Sequence, residues 1–166
     1  MGKLALKEST TIFGEESEET ASIKSSLSET YGKMRDFLKG KKLSEQALNT
    51  MSSIFGEDNV KIVTYLSNYA IFNAAIGNVI FAIKLLEKTS KIELKYYGEN
   101  HVSLSVTYDN LSHLYERLDK INVALYYAEK SFEISKQTFN LSNVETVKKN
   151  QHLQSLQQKS LTQSEA

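Results

Sequence analysis

Phe13-Gly14-Glu15-Glu16, Phe55-Gly56-Glu57-Asp58 and Tyr97-Gly98-Glu99-Asn100 recur at a spacing of 42 residues, and Phe139-Asn140 stands at the next interval. A period in this range marks a repeated supersecondary unit. Such a unit cannot bury its apolar face alone, so neighbours must stack and the chain length counts units instead of enclosing one centre. The 166 residues hold three full units, 14–55, 56–97 and 98–139, with a partial unit at each end.

The third unit reads most clearly. Leu104, Tyr108, Leu111, Tyr115 and Leu118 keep the three-and-four spacing of a buried helix face, which predicts a first helix, helix A. Asp119-Lys120 interrupts, and Ile121, Ala124, Leu125, Ala128, Phe132 and Ile134 trace helix B. Gly98 ends the preceding helix B, because glycine takes the left-handed conformation at a helix end, and Asn100 is expected to cap the next helix. The second unit repeats the plan, with Asp58 or Asn59 as cap, Val63, Leu66, Tyr69, Ala70 and Ile76 in helix A, and Gly77-Asn78 at the turn. Its helix B carries Val79, Ala82, Ile83, Leu86 and Ile92. In the first unit, Ile23, Leu27, Tyr31 and Met34 precede Phe37, Leu43, Ala47 and Met51, and the charged, glycine-containing Lys39-Gly40-Lys41 predicts a late start for helix B after a longer turn.

These patterns predict an all-α fold, an extended array of stacked helix pairs over residues 1–160. Residues 1–13 read as the back half of a helix B with an uncovered side. Residues 140–160 read as a solvating capping helix, and residues 161–166 as a disordered tail beginning near Ser160.

Twenty basic and twenty acidic residues balance, and the clusters Glu15, Glu16, Glu18, Glu19 and Lys39, Lys41, Lys42 are too short to draw nucleic acid to the surface. No cysteine is present, which excludes disulfides, thiolate metal sites and a cysteine nucleophile, and fits a reducing compartment. The amino terminus lacks the apolar core of a secretion signal and no stretch is long enough to span a bilayer, so a soluble, cytoplasmic protein with no membrane partner is expected. Leu6 stands where a myristoylation signal requires Ser or Thr, and the sequons Asn110-Leu111-Ser112 and Asn140-Leu141-Ser142 read as chance matches.

The second and third units resemble tetratricopeptide repeats of the 42-residue kind found in kinesin light chains and nephrocystin-like proteins. Gly98-Glu99-Asn100-His101 and Asp109-Asn110-Leu111-Ser112 are similar to that family's two signature segments, as are Gly56-Glu57-Asp58-Asn59 and Ser67-Asn68-Tyr69-Ala70. Ala82 and Ala124, then Thr89 and Ser131, fall where helix B packs on helix A. Val60 and Val102 replace the family's proline, and the first unit has Ser25-Ser26 in place of the asparagines and Gly40 in place of the small alanine.

The resemblance implies a right-handed superhelical array of antiparallel helix pairs, whose helix A lines a concave face holding a peptide or helix of a protein partner. Carried over by position, the groove presents Thr64, Ser67, Asn68 and Ile71 from the second unit and Val106, Asp109, Asn110, His113 and Arg117 from the third. Asparagine both donates and accepts, so Asn68 and Asn110 suit an extended backbone. The bland readings are a solvated asparagine, a local His113–Asp109 pair and a surface Arg117–Glu116 pair. Ser25, Glu29, Ser67, Ile71 and Asp109 stand where the chaperone-tail version of the fold needs lysine and arginine, which argues against that ligand.

His101, His113 and His152 show no metal-ligand spacing, and no nucleophile, phosphate-loop or calcium-loop motif occurs. His101 matches the family's loop histidine, expected to bond the neighbouring unit's backbone. The tyrosines fall mostly on core faces, with Tyr96, Tyr126 and Tyr127 harder to assign. The expectation is a non-catalytic interaction module, an adaptor or scaffold without cofactor or metal. The alternatives are a building block that stacks through its terminal units into a homo-oligomer or larger assembly, and an accessory repeat domain of a longer protein.

Overall fold

The computed structural model describes residues 2–164, and among them the regular elements are helical. In chain order they are α1 (Gly2–Phe13), α2 (Glu18–Lys33), α3 (Phe37–Phe55), α4 (Val63–Ala75), α5 (Val79–Tyr97), α6 (Val102–Arg117), α7 (Ile121–Thr138) and α8 (Val144–Ser164), with a single 3₁₀ turn at Val60–Ile62 before α4. The chain separates into two compact units, Met1–Leu85 and Leu86–Ala166, and the division falls within α5.

The repeated glycines act as punctuation. Gly14, Gly56 and Gly98 have φ of 91°, 87° and 81°, the left-handed region that any side chain would strain, and Asn140 takes φ 116° at the fourth position.

In the first unit α1 packs on α2, α2 pairs with α3, and α3 carries α4. Ser17 caps α2 by accepting from the Thr20 amide at 3.1 Å, with Glu18 and Glu19 in the first turn where negative charge complements the helix dipole. Thr20 also meets Ser9 of α1, hydroxyl to hydroxyl, at 2.9 Å. The core holds Ala21, Leu27, Ala47, Leu48, Met51, Ile62, Leu66, Ala70 and Phe72, each large side chain contributing about 1.5–3 kcal/mol by leaving water.

Helix α3 does not start late. It begins at Phe37, capped by Asp36, and Gly40 is buried inside its first turns. The reason is Phe72 of α4, whose ring occupies the space where a residue-40 Cβ would stand. Gly40 is a packing glycine, and the expected long turn is three residues.

In the second unit the rest of α5 precedes α6, which pairs with α7, and α8 closes on α7. The N-cap of α6 is His101, not Asn100: its Nδ1 accepts from the Ser103 amide at 3.3 Å while the ring stacks on Tyr97, 4.2 Å between centroids. His101 thus serves its own helix. Small residues bring α6 and α7 together, because Ser105 donates to the Ser131 carbonyl at 2.8 Å and Ser131 donates back to that of Ser105 at 2.7 Å. Leu153 and Leu156 of α8 pack with Ile121, Ala124 and Ala128.

Helix α8 runs past the point where fraying was expected. Lys159 pairs with Glu116 at 2.6 Å, Ser160 with Asn122 at 3.3 Å, and Gln163 donates to Asp119 at 3.1 Å, so polar ties hold a segment whose composition alone reads as a tail. Residues 165 and 166 of that expected tail lie outside the described residues.

Candidate functional site

Phe72 decides the shape of the first unit's exposed face. In register, positions 114 and 156 hold leucine where Phe72 stands, and positions 82 and 124 hold alanine where Gly40 stands. A larger ring is matched by a smaller partner. Gly32 makes the same concession, since a Cβ there would lie 3.2 Å from the ring. Beside the ring a pocket of about 410 Å³ opens, walled by Phe37, Ile71, Phe72 and Ala75, with Glu29, Lys33 and Asn68 at its edge. Ile71 is 48% exposed, unpartnered apolar surface of the kind a ligand side chain covers.

Asn68 and Ile71, expected as partner contacts, both line this pocket. Asn68 has a second employment: its amide nitrogen donates to Ser25 Oγ and to Glu29 Oε1, each at 3.0 Å, tying α4 to α2. Its two N–H groups are therefore engaged within the unit. Thr64 is exposed and Ser67 half-buried on the same helix. Phe37, Phe72 and Gly32 were not legible as site residues, although the joint departure of Phe72 and Gly40 from their register was the available signal.

The second unit shows a different picture. Val106 and Arg117 are exposed, and Asn110 is half-buried. Asp109 sends its carboxylate to Lys149 of α8 at 3.4 Å, while His113 donates from Nδ1 to the Asp109 backbone carbonyl at 2.9 Å, so the local His113–Asp109 bond runs through the backbone oxygen. Glu116 bonds Lys159 at 2.6 Å, with His152 at 3.8 Å. These contacts hold its carboxyl below the usual range even though burial pushes it up.

His113 and His152 stack face to face, 3.9 Å between centroids and 5° from parallel. His152 stands one period after Asn110 and two after Asn68. Ser112 donates its only proton to the Ala124 carbonyl at 2.9 Å, so His152 Nε2, 3.0 Å away, is the donor in that contact. Burial, then the neighbouring His113, lowers the His152 pKa.

Glu93 is 2% exposed, and its Oε2 has no hydrogen-bond partner. In register it matches Met51 one period before, Ser135 one period after and Ser9 two periods before, and the two serines meet the hydroxyls of Thr146 and Thr20. Burial raises its pKa, against the hydroxyls of Thr107 and Ser103 and the nearby His101. Tyr127, unassigned from sequence, stacks on Tyr115 at 5.6 Å, whereas Tyr96 and Tyr126 are half exposed. Among the described residues no group of three or more His, Asp or Glu is placed to hold a metal ion, and no helix is long and apolar enough to cross a membrane.

Residues 61–137 match a family model described as tetratricopeptide repeat. No curated protein sequence matches the chain. Among solved structures it is similar to the putative kinesin light chain of Podosopora anserina with nearly identical TPR-like repeats, at 16% identity and TM-score 0.81, over 99% of this chain and 78% of that one. It is similar to BtubC (BKLC) from P. vanneervenii at 23% identity and TM-score 0.74, covering 82% of this chain and 54% of that one, so it spans about half of BtubC's length. The Sgt2 TPR domain from Aspergillus fumigatus aligns at 18% identity and TM-score 0.66, over 88% of this chain and 82% of that one. At these identities the likeness is one of fold.

Proposed function

We propose that this chain, whose residues 61–137 match the tetratricopeptide-repeat family model, is a non-catalytic interaction module working in the cytoplasm as an adaptor or scaffold. The observation that carries this reading is the pocket beside Phe72: an apolar wall of Phe37, Ile71 and Ala75 with polar groups confined to its edge. That arrangement takes one bulky apolar side chain of a partner peptide or helix, with Asn68 Oδ1 beside the backbone that carries it. Thr64 and Ser67 extend the same face. In the second unit Val106, Asp109, Asn110, His113 and Arg117 form the corresponding surface, where Asp109 and His113 also hold α8.

The test separates binding from folding. Ile71→Glu puts a charge on exposed surface and leaves the fold intact, so partners captured by the wild-type chain from its native source should be lost while the melting curve is unchanged. Retention of every partner at the wild-type level overturns the reading. Asn68→Ala is the poorer probe because it also cuts two internal hydrogen bonds.

A second reading is favoured by α1, where Leu4, Ile12 and Phe13 are 62%, 71% and 55% exposed along a helix with a shallow pocket of about 400 Å³. As a building block the chain would cover that face by self-association. A constant monomer mass across a hundredfold range of concentration would rule this out.

A further inference from the structure

The turn joining α2 to α3 departs from its two register equivalents. Residues 33–42 carry five basic side chains, Lys33, Arg35, Lys39, Lys41 and Lys42, against the single acid Asp36, whereas residues 75–84 carry one charge and residues 117–126 carry three. Asp36 is taken by Lys39, at 2.5 Å, and by the cap of α3. One acid therefore offsets one of five cations.

Folding does not explain this placement. Lys39, Lys41 and Lys42 stand at the start of α3, which has no acid in its first turn, and positive charge there opposes the helix dipole. Arg35 takes φ 59° where the next turn has Gly77, a conformation that glycine adopts without strain. Met34 and Leu38 are 69% and 71% exposed, although Ile76 and Leu118, the equivalents of Met34, are half-buried. The exposed apolar residues of the turn are thus flanked along the chain by cations, of which Lys33, Arg35, Lys39 and Lys42 are exposed.

We propose that this turn is a docking surface for an anionic lipid membrane, with Met34 and Leu38 entering the acyl boundary and the surrounding lysines and arginine lying among the headgroups. A bilayer rich in acidic lipid offers the two complementary properties together, spread negative charge over an apolar interior. A cluster of about four to eight basic side chains is the size that such surfaces retain. Lysine suits the boundary because its stem covers apolar surface while the ammonium stays at the headgroup level. Nucleic acid would supply the charge but leave Met34 and Leu38 without an apolar counterpart. The association is peripheral and needs no spanning helix; the turn borders the peptide pocket at Lys33 and Phe37, so the test uses residues outside that pocket.

Co-sedimentation with vesicles tests it. The full chain should pellet with phosphatidylcholine vesicles containing about 30% phosphatidylserine, the acidic lipid that supplies the surface charge, not with phosphatidylcholine alone, and should be released by salt. Arg35→Glu with Lys42→Glu should weaken binding by about thirtyfold or more, and Met34→Ser with Leu38→Ser should weaken it while leaving the circular dichroism spectrum unchanged. Lys130→Glu with Lys136→Glu makes the same net charge change on α7 and should leave binding intact. No pelleting of the wild-type chain, equal loss in the α7 variant, or indifference to the Met34 and Leu38 changes each overturns the proposal. Binding of soluble polyglutamate without binding of vesicles would overturn it in favour of an acidic protein segment.

Discussion

The ring of Phe72 lies against the backbone of Gly40, so close that a methyl group on residue 40 would stand 2.2 Å from a ring carbon. Alanine is ordinarily the better helix residue by roughly 0.5–1 kcal/mol. Here the sign should reverse. Gly40→Ala is expected to destabilise the fold by about 1–3 kcal/mol, the usual cost of overpacking, and Phe72→Leu in the same chain should recover much of it. A double-mutant cycle by urea unfolding measures the coupling. Additive effects would mean the ring and the glycine are not in contact.

Asn68 is both a pocket residue and a tie. Losing its bonds to Ser25 and Glu29 in Asn68→Ala should cost about 1–2 kcal/mol. Glu29→Ala should be partly redundant with it, because both remove the same bond. Full additivity in chemical denaturation would argue against that bond in solution.

Glu93 sets a pH dependence. Its folded pKa is raised by burial, so as pH rises through the unfolded value the unfolded chain releases its proton first and stability falls. Glu93→Gln should therefore be more stable than wild type at pH 7, with the gap narrowing as pH falls toward about 4.3, the reference carboxyl value, and closed below it. Urea midpoints at pH 3.5 and pH 7 supply the comparison, and a constant gap would refute the assignment.

The stacked histidines work in the opposite sense. The folded pKa of His152 is depressed, so on acidification the unfolded chain takes up a proton first and stability is lost as pH falls below about 6.5. Amides of α8 should exchange faster at pH 5.5 than the intrinsic pH dependence of exchange predicts. His152→Asn, which installs the residue found at 68 and 110, should remove that excess. Persistence of the excess in the variant would locate the titration elsewhere.

Helix pairs, their turns and the glycine stops were legible because periodicity and left-handed glycine are local properties of the chain. Gly56 and Gly98 end their helices as the spacing required. The errors have one character. Gly40 looked like a flexible turn residue until Phe72, 32 residues away, was brought onto it. His101 displaced Asn100 as cap because Tyr97 holds its ring in a stack. The polar end of α8 looked like a tail because its partners, Glu116, Asp119 and Asn122, are distant in sequence.

The candidate site was half visible. Register put Asn68 and Ile71 on helix A, but the pocket beside them depends on a ring lying across two glycines, and only packing reveals that.

The sequence by itself determined the 42-residue period, the all-helical class and the glycine stops of α1, α3 and α5, since these follow from hydrophobic spacing and backbone freedom within a few residues of one another. Tertiary structure alone decided what the repeated positions do. Equivalent places hold Asn68, which bonds α2, and His152, which stacks on His113. Glu93 is buried where the preceding unit places Met51 and the following one Ser135. A period assigns equal backbone environments, but the neighbour across the helix interface differs from unit to unit, and that neighbour sets whether a side chain is bonded, stacked or left open to a partner.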